Sequence, residues 1–458
     1  MKLKVATLSS LLVLAAAAQP PASPPSGAPG ATPQTPGRGM PGGRGPALRS
    51  PEILDDQKVT FRLRAPNATD VVVNGDWPQG RGVKMTKDDA GIWTVTVGPL
   101  TPELWAYTFN VDGASLLDSA NPNILRDGTR YSNFLIVDGA LSDTYKIKDV
   151  PHGNVSLVWY DSPTLPNASP RRMYVYTPPG YDKAAEKYPV LYLLHGAGGD
   201  EDAWNNMGRA SLIMDNLIAA KKAKPMLVVM TNGNANQKMA PGYGIVPGQF
   251  TGNTGNPGEV GVVGAFAGRG AAPGGPATPG GAAGAPATPP SQPNSAASAS
   301  PGAPATPGGA PNGGRGGGMF GGAFPESLVK DVVPYIEKNY RVIANKDGRA
   351  IAGLSMGGGH TLTATNAHPE VFSYVGVFSM GTAADVSDKL AALKQAGVKF
   401  YYVGHGKDDP VVRVSQGQNL AAQLEKVGIN YHYTESTGGH TWANWRIYLN
   451  EFAPSLFK

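Results

Sequence analysis

The chain predicts an open, doubly wound α/β sheet preceded by a small all-β, immunoglobulin-like sandwich, and three observations carry that expectation. Apolar runs at Tyr188–Leu194, Pro225–Met230, Ala350–Leu354 and Val398–Gly404 have the form of strands buried on both faces of a parallel sheet. Each gives way to a glycine-rich or polar loop, as strands do where connections leave a sheet. Between residues 50 and 145 the pattern changes to short β-branched and aromatic stretches divided by Gly, Asp, Asn and Pro turns, which is the pattern of a sandwich.

Met1-Lys2-Leu3-Lys4 is basic, Val5 to Ala15 is apolar, and Ala16-Ala17-Ala18 is a small-residue cleavage site. Residues 1–18 are therefore expected to be a secretory signal peptide, and the mature chain to be secreted or periplasmic. The apolar run is too short to span a bilayer, so no membrane role is expected after cleavage. Residues 19–48, rich in Pro, Gly, Ala and Ser, cannot bury enough apolar surface to order and read as a flexible tether. With no cysteine there is no disulfide framework, and the fold must rest on core burial. The 39 basic and 34 acidic residues form no concentrated block, which argues against a nucleic-acid partner.

In the β segment, Val59–Arg64, Asp70–Asn74, Ile92–Val97 and Trp105–Val111 read as strands, and Trp77, Trp93 and Trp105 are candidates for stacking on sugar rings or for the core. An α/β domain is expected over 146–458. It is interrupted at about 240–320 by a low-complexity insert that holds no charged or large apolar residue from Gly270 to Gly314 and is expected to be disordered. The insert leaves the strand Pro225–Met230 and should emerge on the face formed by the strands' C-terminal ends. A helix is expected to resume near Pro325.

Gly353-Leu354-Ser355-Met356-Gly357 places G-x-S-x-G between an apolar run and a helix-compatible segment. That is the context of a nucleophile elbow, where flanking glycines let the serine hydroxyl project from a tight turn. A serine needs a histidine base and an orienting carboxylate, in the chain order Ser, Asp, His for this kind of sheet. The strand ending at Gly404 runs into His405-Gly406-Lys407-Asp408-Asp409-Pro410-Val411-Val412, where Asp408 and Asp409 compete. Asp409 is preferred because G-x-x-D followed by an apolar pair is the usual acid loop. The strand Asn430–Glu435 leads to Gly438-Gly439-His440, which makes His440 the candidate base. His152, His360, His368 and His432 follow no strand and glycine pair; His405 adjoins the acid loop as a candidate orienter. His195-Gly196-Ala197-Gly198 follows an apolar strand like the HGGG-type loop of esterases, so the N–H groups of Met356 and Ala197 are the candidate oxyanion donors. No metal-ligand spacing appears among the histidines, and no cofactor is expected.

From about Arg171 to Lys458 the chain resembles the esterase D-type α/β-hydrolases, and within them the family 1 carbohydrate esterases that include feruloyl esterases. The resemblance rests on Leu193-Leu194-His195-Gly196 with Trp204, Val332 to Tyr340, Gly353 to Gly359, and Gly438-Gly439-His440 with Trp445. One departure is the long loop between Thr231 and Phe324. Asn74-Gly75-Asp76-Trp77, Tyr107 to Gly113 and Asp118 to Pro122 resemble the family 48 carbohydrate-binding modules. The resemblance implies a Ser355, Asp409, His440 triad, an acyl-enzyme route, Trp204 and Trp445 as substrate-binding residues, and an acyl ester of a plant polysaccharide or oligosaccharide, feruloyl foremost, as substrate. Acetyl xylan hydrolysis, an enterochelin-type siderophore esterase and a noncatalytic glycan-binding protein are the alternatives.

Overall fold

The computed structural model describes residues 48–128, 130–165, 170–235 and 322–458. The expected signal peptide, the expected tether up to residue 47 and the expected insert lie outside the described residues.

The N-terminal strands are β1 (Glu52–Ile53), β2 (Val59–Arg64), β3 (Val71–Gly75), β4 (Val83–Lys84), β5 (Thr86–Lys87), β6 (Ile92–Val97), β7 (Leu104–Val111), β8 (Ala114–Leu116), β9 (Ile124–Asp127) and β10 (Arg130–Ile136). They form two antiparallel sheets, one in the order β1-β2-β6-β5 and the other β4-β3-β7-β10-β9, with β8 paired to β7. Along β3 the residues alternate in burial, so Val71 and Val73 point inward to meet Val59, Phe61, Phe109 and Leu135. Trp77 and Trp93 belong to this core. Trp77 stacks on Phe61 with centroids 5.6 Å apart, and the Trp93 indole donates to the Ala65 carbonyl at 2.9 Å. Neither ring is a sugar platform; each fills the space between the sheets. Trp105 is half-buried, its N–H donating to the Thr101 carbonyl at 3.0 Å.

The larger sheet is built from β11 (Asn154–Tyr160), β12 (Arg171–Thr177), β13 (Val190–Leu194), β14 (Leu227–Thr231), β15 (Arg349–Leu354), β16 (Tyr374–Phe378), β17 (Phe400–Gly406) and β18 (Tyr431–Ser436). Its helices are α1 (Ala203–Asn206), α2 (Ala210–Ala219), α3 (Phe324–Ser327), α4 (Val333–Asn339), α5 (Met356–Ala367), α6 (Ser387–Gln395), α7 (Val414–Val427) and α8 (Trp442–Phe452). The strand order is β11-β12-β14-β13-β15-β16-β17-β18, antiparallel at β11 and β12 and parallel from β14 to β18. Every residue of β13, β14 and β16 is buried, with one apolar core on each face of the sheet. After β13 the chain first goes outward to β14, then returns on the other side of β13 as β15. The strand order reverses there, so the loops after β13 and β15 diverge and leave a crevice at their C-terminal ends. Among the described residues, no helix is long and apolar enough to cross a membrane.

Candidate active site

Ser355 joins β15 to α5 at that crevice with φ +52° and ψ −117°. A non-glycine residue in this region is strained by about 1–3 kcal/mol and persists only where its surroundings force it. Two glycines provide the force. A Cβ on Gly353 would lie 2.3 Å from the Gly357 carbonyl, and one on Gly357 would lie 2.6 Å from the carbonyl oxygens of Leu194 and His195. With hydrogen in place of both side chains, the first turn of α5 closes onto the ends of β13 and β15. The Ser355 amide is then held by the Phe378 carbonyl at 2.9 Å.

The loop after β13 crosses directly above this turn. A Cβ on Gly196 would come within 3.3 Å of the Ser355 Cβ, so the backbone leading to Ala197 rests against the serine. His195 anchors the loop from below: its Nε2 accepts from the Gly233 amide at 2.9 Å, and its Nδ1–H donates to the Gly196 carbonyl at 2.7 Å. Burial holds this imidazole below its ordinary pKa, so it is neutral. Trp204 fixes the same strand end by donating to the Leu194 carbonyl at 2.8 Å.

Asp409 and His440 meet across the loops that follow β17 and β18. His440 Nδ1 lies 2.7 Å from Asp409 Oδ2, while Asp409 Oδ1 accepts from the amides of Val411 at 2.8 Å and Val412 at 2.9 Å. Burial alone pushes the Asp409 carboxyl up, but the His440 hydrogen bond and charge and the two amides outweigh it, holding the group below the usual aspartate value. An ionised carboxylate only accepts, so the imidazole proton sits on Nδ1. Nε2 is buried and makes no hydrogen bond among the described residues, Ser355 included. The two loops approach closely because Gly406 has no side chain: a Cβ there would be 2.6 Å from the Gly438 carbonyl oxygen. Asp408 is exposed and contributes its amide, which donates to the Gly438 carbonyl at 3.0 Å. His405 is buried beneath the acid loop, its Nε2 donating to the Val412 carbonyl at 2.8 Å and lying 3.9 Å from Asp409 Oδ2.

Trp204 and Trp445 are placed beneath the site, not along its wall. They are 1% and 5% exposed, too little to present a ring face to substrate. Trp445 meets the His440 ring edge-on at 5.0 Å and donates to Ser379 Oγ at 3.0 Å, while Trp442 stands edge-on to both Trp445 at 5.0 Å and Trp204 at 5.3 Å. This indole chain ties the base loop to the end of β13. The Trp442 and Ser379 contacts were not foreseen from the sequence, since neither lies in a motif.

His360, on α5 one turn beyond the serine, packs at 5.1 Å from Phe324, and burial with the nearby His195 lowers its pKa to about 3. The unfolded chain takes up protons at both histidines below about 6.5, whereas in the folded chain uptake is shifted to lower pH at His195 and to about 3 at His360. Stability is therefore fully present above that pH and falls as pH drops below it, by up to about 1.4 kcal/mol per pH unit for each group. In His360→Gln the slope of urea-unfolding free energy between pH 4.5 and 6.5 should decrease by roughly one proton's worth; an unchanged slope would mean that His360 is protonated in the fold.

Residues 166–255 and 321–456 match the Esterase family model, and residues 47–127 match carbohydrate-binding module 48, the isoamylase N-terminal domain. The chain is 30% identical over 424 residues to an endo-1,4-beta-xylanase/feruloyl esterase of Xylanibacter ruminicola, a match covering 90% of this chain and 46% of that protein. It thus spans just under half the length of this relative. Among solved structures, the enterobactin esterase of Shigella flexneri matches with TM-score 0.53 at 17% identity, covering 87% of this chain and 92% of that one. A family 1 ferulic acid esterase of Anaeromyces mucronatus matches with TM-score 0.46 at 20% identity, covering 69% and 95%. The fold class is that of an α/β-hydrolase esterase behind an all-β sandwich.

Proposed function

We propose that this chain, whose α/β domain belongs to the Esterase family and whose N-terminal sandwich is a module of family 48, is an exported serine esterase that removes feruloyl or related hydroxycinnamoyl groups from plant cell-wall polysaccharide or its fragments. The observation that supports the reading is the Asp409–His440 contact, which leaves His440 Nε2 without a hydrogen-bond partner among the described residues, on a loop that leaves the same C-terminal edge of the parallel strands as the strained turn at Ser355. Ser355 attacks the ester carbonyl as His440 takes its proton, and Asp409 keeps the ring in the tautomer that can accept. The amides of Met356 and Ala197 bind the oxyanion of the tetrahedral intermediate. His440 gives the proton to the sugar oxygen as its bond to the acyl carbon breaks, freeing the sugar hydroxyl and leaving the acyl group on Ser355, and water then releases the acid by the same steps.

The basic, then apolar, N-terminal residues ending in Ala16-Ala17-Ala18 support export. The acyl preference draws on the relative that carries feruloyl esterase in its name. A panel of methyl ferulate, p-nitrophenyl acetate, acetylated xylan and a catecholoyl-serine trilactone tests it. The highest kcat/KM is expected on methyl ferulate. Preference for acetylated xylan would move the assignment to deacetylation, and turnover confined to the trilactone would overturn the cell-wall reading in favour of a siderophore esterase.

A further inference from the structure

The oxyanion loop does not stand alone on its own sheet: Asp127, Gly128 and Arg130, at the facing ends of β9 and β10 of the sandwich, lie against it. A Cβ on Gly128, at φ +61°, would be 2.2 Å from the Gly198 carbonyl oxygen; one on Gly198 would be 3.6 Å from Arg130 Nη2; and one on Gly199 would be 3.3 Å from Asp127 Oδ1. Beneath these contacts Arg126 reaches from β9 into the α/β domain. Its Nη1 and Nη2 donate to Asp200 Oδ2 at 2.6 Å and Oδ1 at 3.0 Å, its Nε to Asp202 Oδ2 at 3.3 Å, and its Nη1 also to the Gly128 carbonyl at 2.7 Å. The guanidinium side chain is only 10% exposed and Asp200 1%, so solvent screens this fork little. Ala197 is thus gripped from both sides, through Gly196 against Ser355 and through Gly198 and Asp200 against the sandwich.

Resting on the serine-esterase reading, we infer that the sandwich takes part in the reaction as a clamp on the oxyanion loop, with Arg126 as a positioning residue that holds the Ala197 amide where the developing charge appears. A planar, two-pronged guanidinium fixes both the distance and the angle of a carboxylate, which an ammonium on a flexible stem does not. Displacing a reacting or stabilising group by about 1 Å costs on the order of 100-fold in rate. The clamp therefore acts on the transition state and leaves substrate binding alone.

The test uses the full chain with Arg126→Lys, which keeps the buried charge but loses the fork, and Gly128→Ala, which presses on the Gly198 carbonyl and changes no charge. Asn216→Ala is the control; it removes hydrogen bonds from α2 to the carbonyls of Thr144 and Lys146, away from the loop. Each variant is measured for kcat and KM on p-nitrophenyl acetate, for the rate at which a fluorophosphonate labels Ser355, and for melting temperature. Both loop variants should lose roughly 10- to 100-fold in kcat and in labelling rate with KM nearly constant, and the control should lose neither. Wild-type kcat and labelling rate per folded molecule in both loop variants, or an equal loss in Asn216→Ala, would overturn the clamp. If the wild type hydrolyses no ester in the panel, the serine-esterase reading fails by itself, and the labelling rates still decide whether the hairpin governs the loop.

Discussion

Ser355→Ala should lower kcat on the preferred ester by roughly 10⁴-fold or more, with the fold intact and substrate affinity little changed. The size follows from the proposed role: removing the oxygen that would form the covalent bond leaves only binding and oxyanion stabilisation to assist direct attack by water. The fold should survive because alanine is smaller and the Ser355 amide keeps its bond to the Phe378 carbonyl. The positive φ is maintained by the packing of Gly353 and Gly357, not by the hydroxyl. Turnover within tenfold of wild type, with an unchanged melting temperature, would remove Ser355 from the mechanism.

Asp409→Asn should cost almost as much, on the order of 10⁴-fold in kcat, whereas Asp408→Asn should change it only a few-fold. An asparagine at 409 can still accept from the Val411 and Val412 amides through its carbonyl oxygen, so the acid loop keeps its shape. Its amide nitrogen would then face His440 Nδ1 and donate to it. That moves the imidazole proton to Nε2, and the nitrogen required as a base becomes a donor. The Asp408 carboxylate is exposed, and the contact it makes to the base loop is through its backbone amide, which the substitution leaves in place. Equal losses in the two variants, or the reverse order, would reassign the carboxylate.

Much of the α/β half was legible because parallel strands, buried on both faces, leave unbroken apolar runs such as Val190–Leu194 and Leu227–Met230. Glycines whose absent Cβ lets two backbones touch, as at Gly353 and Gly357, flank the turn that follows β15. What escaped reading was long-range and polar. Arg126 looks like a solvent-facing residue in a short strand, and nothing near it in the chain announces a partner at Asp200, which only the folding of one domain onto another supplies. Glu103 and Arg446 are a second such pair, joined at 2.8 Å and buried. Aromatic residues near motifs carried the opposite hazard: Trp204 and Trp445 suggest a substrate wall by position, yet their N–H groups are spent inside the protein on Leu194 and Ser379. The same holds for Trp77 and Trp93, which period-two patterning leaves free to face either core or sugar until the opposing sheet is known.

The most direct measurement is to mix the protein with methyl ferulate, quench in acid within the first turnovers, and map any acylated peptide by mass spectrometry. One feruloyl group on Ser355, present in the wild type and missing from Ser355→Ala, is the expected result. Active hydrolysis with no acyl adduct on the chain, or an adduct on another residue, would contradict a covalent mechanism at Ser355.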